Sequence, residues 1–97
     1  MSAKFQTGRL LTTRGVFNLM MENEAFSEFM EASLKRFIEA DWGEIMHEYS
    51  ASNDEALELG DLSLIGYYEH SEHEDWHIWI ITEADRSATM ILFHHEY

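Results

Sequence analysis

Three histidines, His70, His73 and His77, lie among Glu69, Glu72, Glu74 and Asp75, and imidazole with carboxylate is donor chemistry suited to zinc or nickel. Spacings of three and then four residues would align these donors on a helix. The surrounding pattern instead places a hairpin turn here, across which His70 and His77 could face each other with His73 at the tip. The chain has no cysteine to join them. Only His94 or His95 could complete a closed four-ligand site. A solvated polar turn accounts for the same residues, so no metal and no other cofactor is assigned, and His70, His73 and His77 stand as candidates only.

A second concentration of chemistry is Thr82-Glu83-Ala84-Asp85-Arg86-Ser87. In a catalytic reading Glu83 or Asp85 is a general base and Arg86 holds an anion. In a structural reading Asp85 caps the turn through nearby backbone while Arg86 pairs with a carboxylate of the body. Arg86 is the only base after Arg36 and lies among 11 acids between Asp54 and Glu96, which favours the structural reading. No glycine-rich phosphate loop, nucleophile elbow or HExxH motif supplies a partner for catalysis. The expectation is a protein that is not an enzyme, with no catalytic residues assigned.

The elements that must position these groups follow from periodicity. Thr12 and Thr13 offer an N-cap before the apolar segment Val16 to Met21. From Glu24 to Ala40, Phe26, Phe29, Met30, Leu34, Phe37 and Ile38 recur at helical spacing, with Glu24, Glu28, Glu31, Lys35 and Glu39 opposite. Asp41-Trp42-Gly43 interrupts this helix, Gly43 serving as a left-handed stop, so Trp42 and Gly43 are read as structural. Ser52 stands three residues before Glu55, the spacing of a capping box, and predicts a helix over Asn53–Leu59 closed by Gly60.

After Gly60 the period changes to that of strands. Leu62 to Tyr67, Trp76 to Ile81 and Ala88 to Phe93 alternate, linked by short polar segments. Both faces are apolar enough to be largely covered. Trp76 and Trp79 must point to opposite faces, so one of them lies away from the main helix layer, where beside Tyr67 or Tyr68 it would mark a contact patch unless a second element covers it. The predicted fold is α+β: two or three N-terminal helices on an antiparallel meander of three strands, with Phe5 to Leu11 a possible fourth at an edge.

Composition bounds the partners. Ninety-seven residues suit a single domain, and 45% hydrophobic residues supply a core. The formal charge is −13, which excludes a basic nucleic-acid-binding surface. It divides unevenly: residues 1–14 hold Lys4, Arg9 and Arg14 and no acid, so a basic arm over residues 1–12 precedes a body whose three bases and 19 acids give −16. A 97-residue globule is roughly 32 Å across, a length over which duplex DNA carries on the order of 19 phosphates. Such a body could occupy a basic nucleic-acid groove on another protein, although acidic faces also serve solubility alone. No apolar run is long enough to span a bilayer, and Met1 to Phe5 lacks the apolar stretch of a signal peptide, so a cytoplasmic location is expected.

Thr13-Arg14-Gly15, Ala40-Asp41-Trp42-Gly43 and the run Ile78 to Ser87 (IWIITEADRS), followed by Thr89, Ile91-Leu92-Phe93 and Glu96-Tyr97, resemble a family of small uncharacterised bacterial proteins associated with plasmids and other mobile elements. The resemblance covers residues 13–97 and implies a mobile-element context without an assigned chemistry. The histidines at His70 to His77 and at His94-His95 depart from the family pattern. Mobile elements gain by blocking host defence nucleases. The expected function is therefore a small acidic binding protein that occupies a basic protein surface, in its sharpest form an anti-CRISPR or anti-restriction inhibitor mimicking nucleic acid. The expected contact residues are Glu24, Glu28, Glu31 and Glu39 on the main helix and Glu69, Glu72, Glu74 and Asp75 on the hairpin. The alternatives are a homo-oligomeric accessory or regulatory protein whose basic arm meets a neighbour's acidic body, and a histidine and carboxylate metal-binding protein or hydrolase.

Overall fold

Strict alternation of apolar and half-polar positions after Gly60 commits the C-terminal third to strands, because period-two side chains can share one buried face only in extended backbone. A computed structural model, describing residues 4–60 and 62–96, places these strands at β2 (Leu64–Glu69), β3 (His77–Thr82) and β4 (Ala88–Phe93). They form the expected antiparallel meander, with Leu64 opposite Thr82 and Glu69 opposite His77, then Thr82 opposite Thr89 and Ile78 opposite Phe93. Leu64, Tyr68, Ile78, Ile80, Ile91 and Phe93 are buried on one face. Thr82 and Thr89 are buried among them and remain satisfied through a mutual hydroxyl hydrogen bond of 2.6 Å.

The fourth strand, β1 (Arg9–Thr12), occupies an edge as expected but runs parallel to β4, with Arg9 opposite Ala88 and Thr12 opposite Ile91. The sheet order is β1-β4-β3-β2, so the sheet is mixed rather than a pure meander. Gly8 makes this approach possible: its φ is +64°, and a Cβ there would lie 2.3 Å from the Ser87 carbonyl carbon. The basic segment is consequently built into the fold over its described residues, 4–12, instead of projecting as an arm. The Lys4 N–H donates to the Ile38 carbonyl, and the Phe5 ring packs edge-on against Phe37 with centroids 5.3 Å apart. Residues 1–3 of the expected arm lie outside the described residues.

Three helices cover the buried face. Thr13 caps α1 (Arg14–Glu22) by accepting from the Val16 N–H, and Asn23 caps α2 (Glu24–Ile38) by accepting from the Phe26 N–H. Phe26, Met30 and Phe37 of α2 join Val16 of α1, Ala56 of α3 and the inward sheet residues in one core. The third helix, α3 (His47–Leu59), ends as expected at Gly60, whose φ is +76°. Its start differs from the expected capping box. The helix begins six residues before Asn53 and runs through Ser52, and its N-cap, Met46, makes no side-chain cap bond. Among the described residues no helix is long and apolar enough to cross a membrane.

Candidate functional site

The turn that follows α2 is pinned from several directions. Ala40, with φ +66°, takes the left-handed position at the helix end, so the expected stop at Gly43 is displaced by three residues. Gly43 is left-handed too, but for a different reason. It bridges to Tyr67, and a Cβ at this position would lie 2.1 Å from the Tyr67 carbonyl oxygen. Trp42, buried as expected, donates its Nε1–H to Asp54 at 3.1 Å. The Tyr68 hydroxyl donates to the Asp41 carbonyl at 2.6 Å, and burial, then the Asp41 charge, hold its phenol well above the usual range.

Arg36 gathers the charges of this turn. Its Nε and one terminal nitrogen reach the two Asp41 oxygens at 2.9 and 3.2 Å, and the same terminal nitrogen reaches Glu44 at 3.3 Å. The hydrogen bonds that Arg36 donates to Asp41 hold the Asp41 carboxyl below its ordinary value and raise the Arg36 guanidinium above its own. Both partners are half exposed, so the pair orients the turn more than it stabilises the chain. Glu44 also accepts the Glu69 N–H at 2.9 Å.

These contacts close the outer edge of β2. The Asn53 side chain accepts from the Ile65 N–H at 3.1 Å and donates to the Ile65 carbonyl at 2.6 Å, which mimics a neighbouring strand. The Tyr67 N–H donates to the Trp42 carbonyl, and the Tyr67 carbonyl accepts from the Glu44 N–H. An edge that would otherwise template another chain is thereby occupied. Asn53 and the Arg36 cluster escaped the sequence reading. An amide in a helix interior, three residues before Ala56 on the same face, was the available signal for Asn53.

The hairpin histidines separate. The His70 N–H donates to the Trp76 carbonyl, whereas His77 pairs with Glu69, so His70 and His77 do not face each other. His73 stacks on Trp76 with centroids 3.9 Å apart, and His70 packs edge-on against both Trp76 and Phe29. His77 emerges on the opposite sheet face, where its Nδ1 lies 3.0 Å from the Tyr67 hydroxyl. Among the described residues no group of three or more His, Asp or Glu is placed to hold a metal ion.

Among the described residues Arg86 makes no ion pair with a carboxylate, where one was expected. Its guanidinium donates to the carbonyls of Leu62 (2.8 Å), Ala84 (3.0 Å), Glu83 (3.1 Å) and Ala56 (3.4 Å). Ala56 lies in the last turn of α3, where the carbonyl end of the helix favours a cation. Asp85 does cap the turn, accepting from the Ser87 N–H at 3.0 Å. Hydrogen bonds from the Ser87 side chain and backbone hold its carboxyl below the ordinary value. Glu83 is exposed and its carbonyl, not its carboxylate, contributes to this knot.

Glu24, Glu28 and Glu31 are exposed on α2, with Glu39 half-buried at its end, and Glu69, Glu72, Glu74 and Asp75 are exposed on the hairpin. Among the described residues the side-chain ion pairs both involve Arg36, so none of these eight carboxylates is neutralised by a base. The hairpin is docked on the apolar side of the N-terminal half of α2 through Phe26 against Trp76 (5.3 Å) and Phe29 against His70 (5.2 Å), while Glu39 stands at the other end of that helix.

The sheet face away from the helix layer carries Tyr67, Trp79, His77 and the half-buried Ile65, Ile81 and Met90. The two tryptophans point to opposite faces, as expected: Trp76 is the buried one, and Trp79 stands on the other side, its ring centroid 4.7 Å from that of Tyr67. Trp79 also stacks on His94 and donates its Nε1–H to the His94 Nδ1 at 3.1 Å. A groove of about 190 Å³ opens between these rings and the start of α3. Burial, followed by the nearby Glu69 and Glu44 carboxylates, pushes the Tyr67 phenol up to about 12.

Comparison of the chain with protein-family models, with curated proteins and with solved structures returned no match.

Proposed function

We propose that this chain is a small acidic, non-enzymatic protein of a bacterial mobile element that acts in the cytoplasm by occupying a basic surface on another protein, in its sharpest form as an anti-CRISPR or anti-restriction inhibitor that mimics nucleic acid. The mobile-element context rests on the family resemblance. The observation that supports the binding mode is the exposure of Glu24, Glu28 and Glu31 on α2 and of Glu69, Glu72, Glu74 and Asp75 on the hairpin, none of them ion-paired among the described residues. Over the longest extent of 38 Å the formal charge of −13 is a little over half of the roughly 22 phosphates that a duplex carries in that length. A basic groove that releases counterions on binding DNA would do the same on binding these carboxylates.

The test is capture of partners from a bacterial host lysate at low salt and at about 0.5 M, where the Debye length has shrunk to roughly 4 Å. The expected result is retention of a nuclease or other nucleic-acid-binding complex that salt releases and DNA competes away. Reversing Glu24, Glu28 and Glu31, or Glu72, Glu74 and Asp75, to lysine should abolish it. Retention of every such partner by both variants refutes mimicry.

A second reading, self-association, is favoured by the exposed apolar side chains Leu10, Phe17 and Met21 on the segment that also carries Arg9 and Arg14. Because β1 belongs to the sheet, deleting residues 1–12 would remove a strand along with the charges. Sedimentation of an Arg9→Glu, Arg14→Glu variant is the informative measurement, and an unchanged oligomer refutes this reading.

A further inference from the structure

We infer that the groove between the start of α3 and the outward sheet face is a receptor for one cationic side chain, lysine or arginine, presented by a basic protein partner. This rests on the proposed binding of a basic surface and specifies one point of contact.

Size comes first. Sites for drug-sized ligands run to about 300–1,000 Å³, and this groove has about 190 Å³. A groove of this size takes a single side chain, not a drug-sized ligand.

The walls come next. Tyr67, Trp79 and His94 form one aromatic cluster, with ring centroids 4.7, 5.7 and 6.0 Å apart for the three pairs. Tyr49 and Met46, both largely exposed at the start of α3, form the opposing side. Aromatic rings with an aliphatic neighbour suit a side chain that has a methylene stem and a charged head, because the stem is desolvated while the ring quadrupoles attract the cation.

Charge then selects the head. Glu44 lines the groove and is fixed in place by Arg36 and the Glu69 N–H. Arg36 is shared with Asp41, and Glu69 carries a further carboxylate close to Tyr67. Three carboxylates against one guanidinium leave two net negative charges beside the groove. An anionic ligand is repelled there, and a neutral apolar side chain gains nothing from the carboxylates.

The experiment is a two-dimensional NMR titration of the isolated protein with N-acetyl-arginine amide, N-acetyl-lysine amide and N-acetyl-norleucine amide. The cationic probes should shift the Trp79 indole and the Tyr49 and Tyr67 amides, and should bind about threefold to tenfold more tightly than norleucine. The tighter of the two cations identifies the side chain. Tyr49→Ala, at an exposed helix position, should weaken the cations about threefold. Glu44→Gln keeps the acceptor for the Glu69 N–H and should lower the ratio of cation to norleucine, to the part that the rings and the remaining carboxylates supply. Equal or tighter binding of norleucine, no shift at these residues with any probe, or an unchanged ratio in Glu44→Gln overturns the inference. None of these readings depends on the carboxylates reversed in the capture test, which leaves Glu69 in place. Failure in the titration with partner capture intact removes the groove alone, and loss of capture with the titration intact removes mimicry alone.

Discussion

Replacing Asn53 by alanine removes a side chain that closes two backbone hydrogen bonds at once on the edge strand β2. The Ile65 N–H and carbonyl lose their only shown partners, at 3.1 and 2.6 Å. A polar group left unsatisfied in a buried place costs about 1–3 kcal/mol, but Ile65 is half-buried, so water recovers part of the loss. A destabilisation of about 2 kcal/mol follows, a sizeable share of the roughly 5–15 kcal/mol that holds a domain together. In thermal unfolding the midpoint should fall by roughly 8–16 °C, and in urea it should fall without a change in slope. Asn53→Asp should cost at least as much, because it keeps the acceptor but sets a second oxygen against the Ile65 carbonyl. The control is Ser52→Ala. Ser52 lies exposed inside α3, where alanine is the better helix former, so this variant should be neutral or stabilised by about 0.5 kcal/mol. Were Ser52 an N-cap instead, the same change would cost about 1 kcal/mol. A destabilised Ser52→Ala beside an unaffected Asn53→Ala refutes both the helix start and the edge closure.

Gly43→Ala should destabilise by several kcal/mol in urea unfolding, since its φ of +76° and the 2.1 Å approach to the Tyr67 oxygen penalise a Cβ together, whereas Gly60→Ala, with open space around it, should cost about 1 kcal/mol. Arg86→Lys should lose about 1–2 kcal/mol, because an ammonium cannot reproduce a fork shared among four carbonyls, and a variant as stable as the parent would contradict that geometry. The Asp41 carboxyl is held below its ordinary value in the fold, so its contribution is present above that value and is lost as pH falls through the folded one. Asp41→Asn should therefore flatten the acid limb of a stability profile by no more than about 1 kcal/mol, as befits a half-exposed pair. The Tyr67 phenol is raised to about 12, so its contribution is intact below the ordinary phenol range and declines between about 10 and 12, and Tyr67→Phe should remove that part of the alkaline decline in a stability profile.

Legibility followed the range of the interactions. β2, β3 and β4 are readable because alternation and short links are local, as are the Thr13 cap and the Asp85 turn. The parallel partner of β1 is not, since a register joining Arg9 to Ala88 depends on Gly8 meeting the Ser87 backbone, a contact no local pattern encodes. At α3 a local motif competed with a tertiary one. Ser52 and Glu55 have the spacing of a capping box, but the amide of Asn53 is satisfied by Ile65, 12 residues away, and the helix extends back to His47. Acids are abundant around Arg86 in sequence, but the partners it meets among the described residues are carbonyls, which counting charge does not reveal. The histidine cluster dissolved for a reason of periodicity: His70 precedes the turn and stays with Trp76, and His77 enters β3 on the opposite face. The groove was half visible. Strand spacing puts Trp79 opposite Trp76, but the α3 residues that complete the walls approach only through the turn pinned by Arg36.

Sheet order also decides how the two charge zones act on each other. β1, with Arg9, is one edge and β2, with Glu69 and the closure by Glu44, is the other. Three interstrand spacings of about 4.8 Å separate them, roughly 14 Å in all. At physiological ionic strength the Debye length is about 8 Å, so screening leaves the attraction across the sheet at roughly a fifth of its unscreened value. Arg9 therefore does little to neutralise the acidic edge of its own molecule. A basic partner approaching from the β2 side meets nearly the whole charge of the body, and the hairpin carboxylates at the β2 and β3 end add to it. Fixing Arg9 in the edge strand Arg9–Thr12 thus keeps its charge from the β2 edge, whose acidity a flexible arm, free to fold back, would have offset.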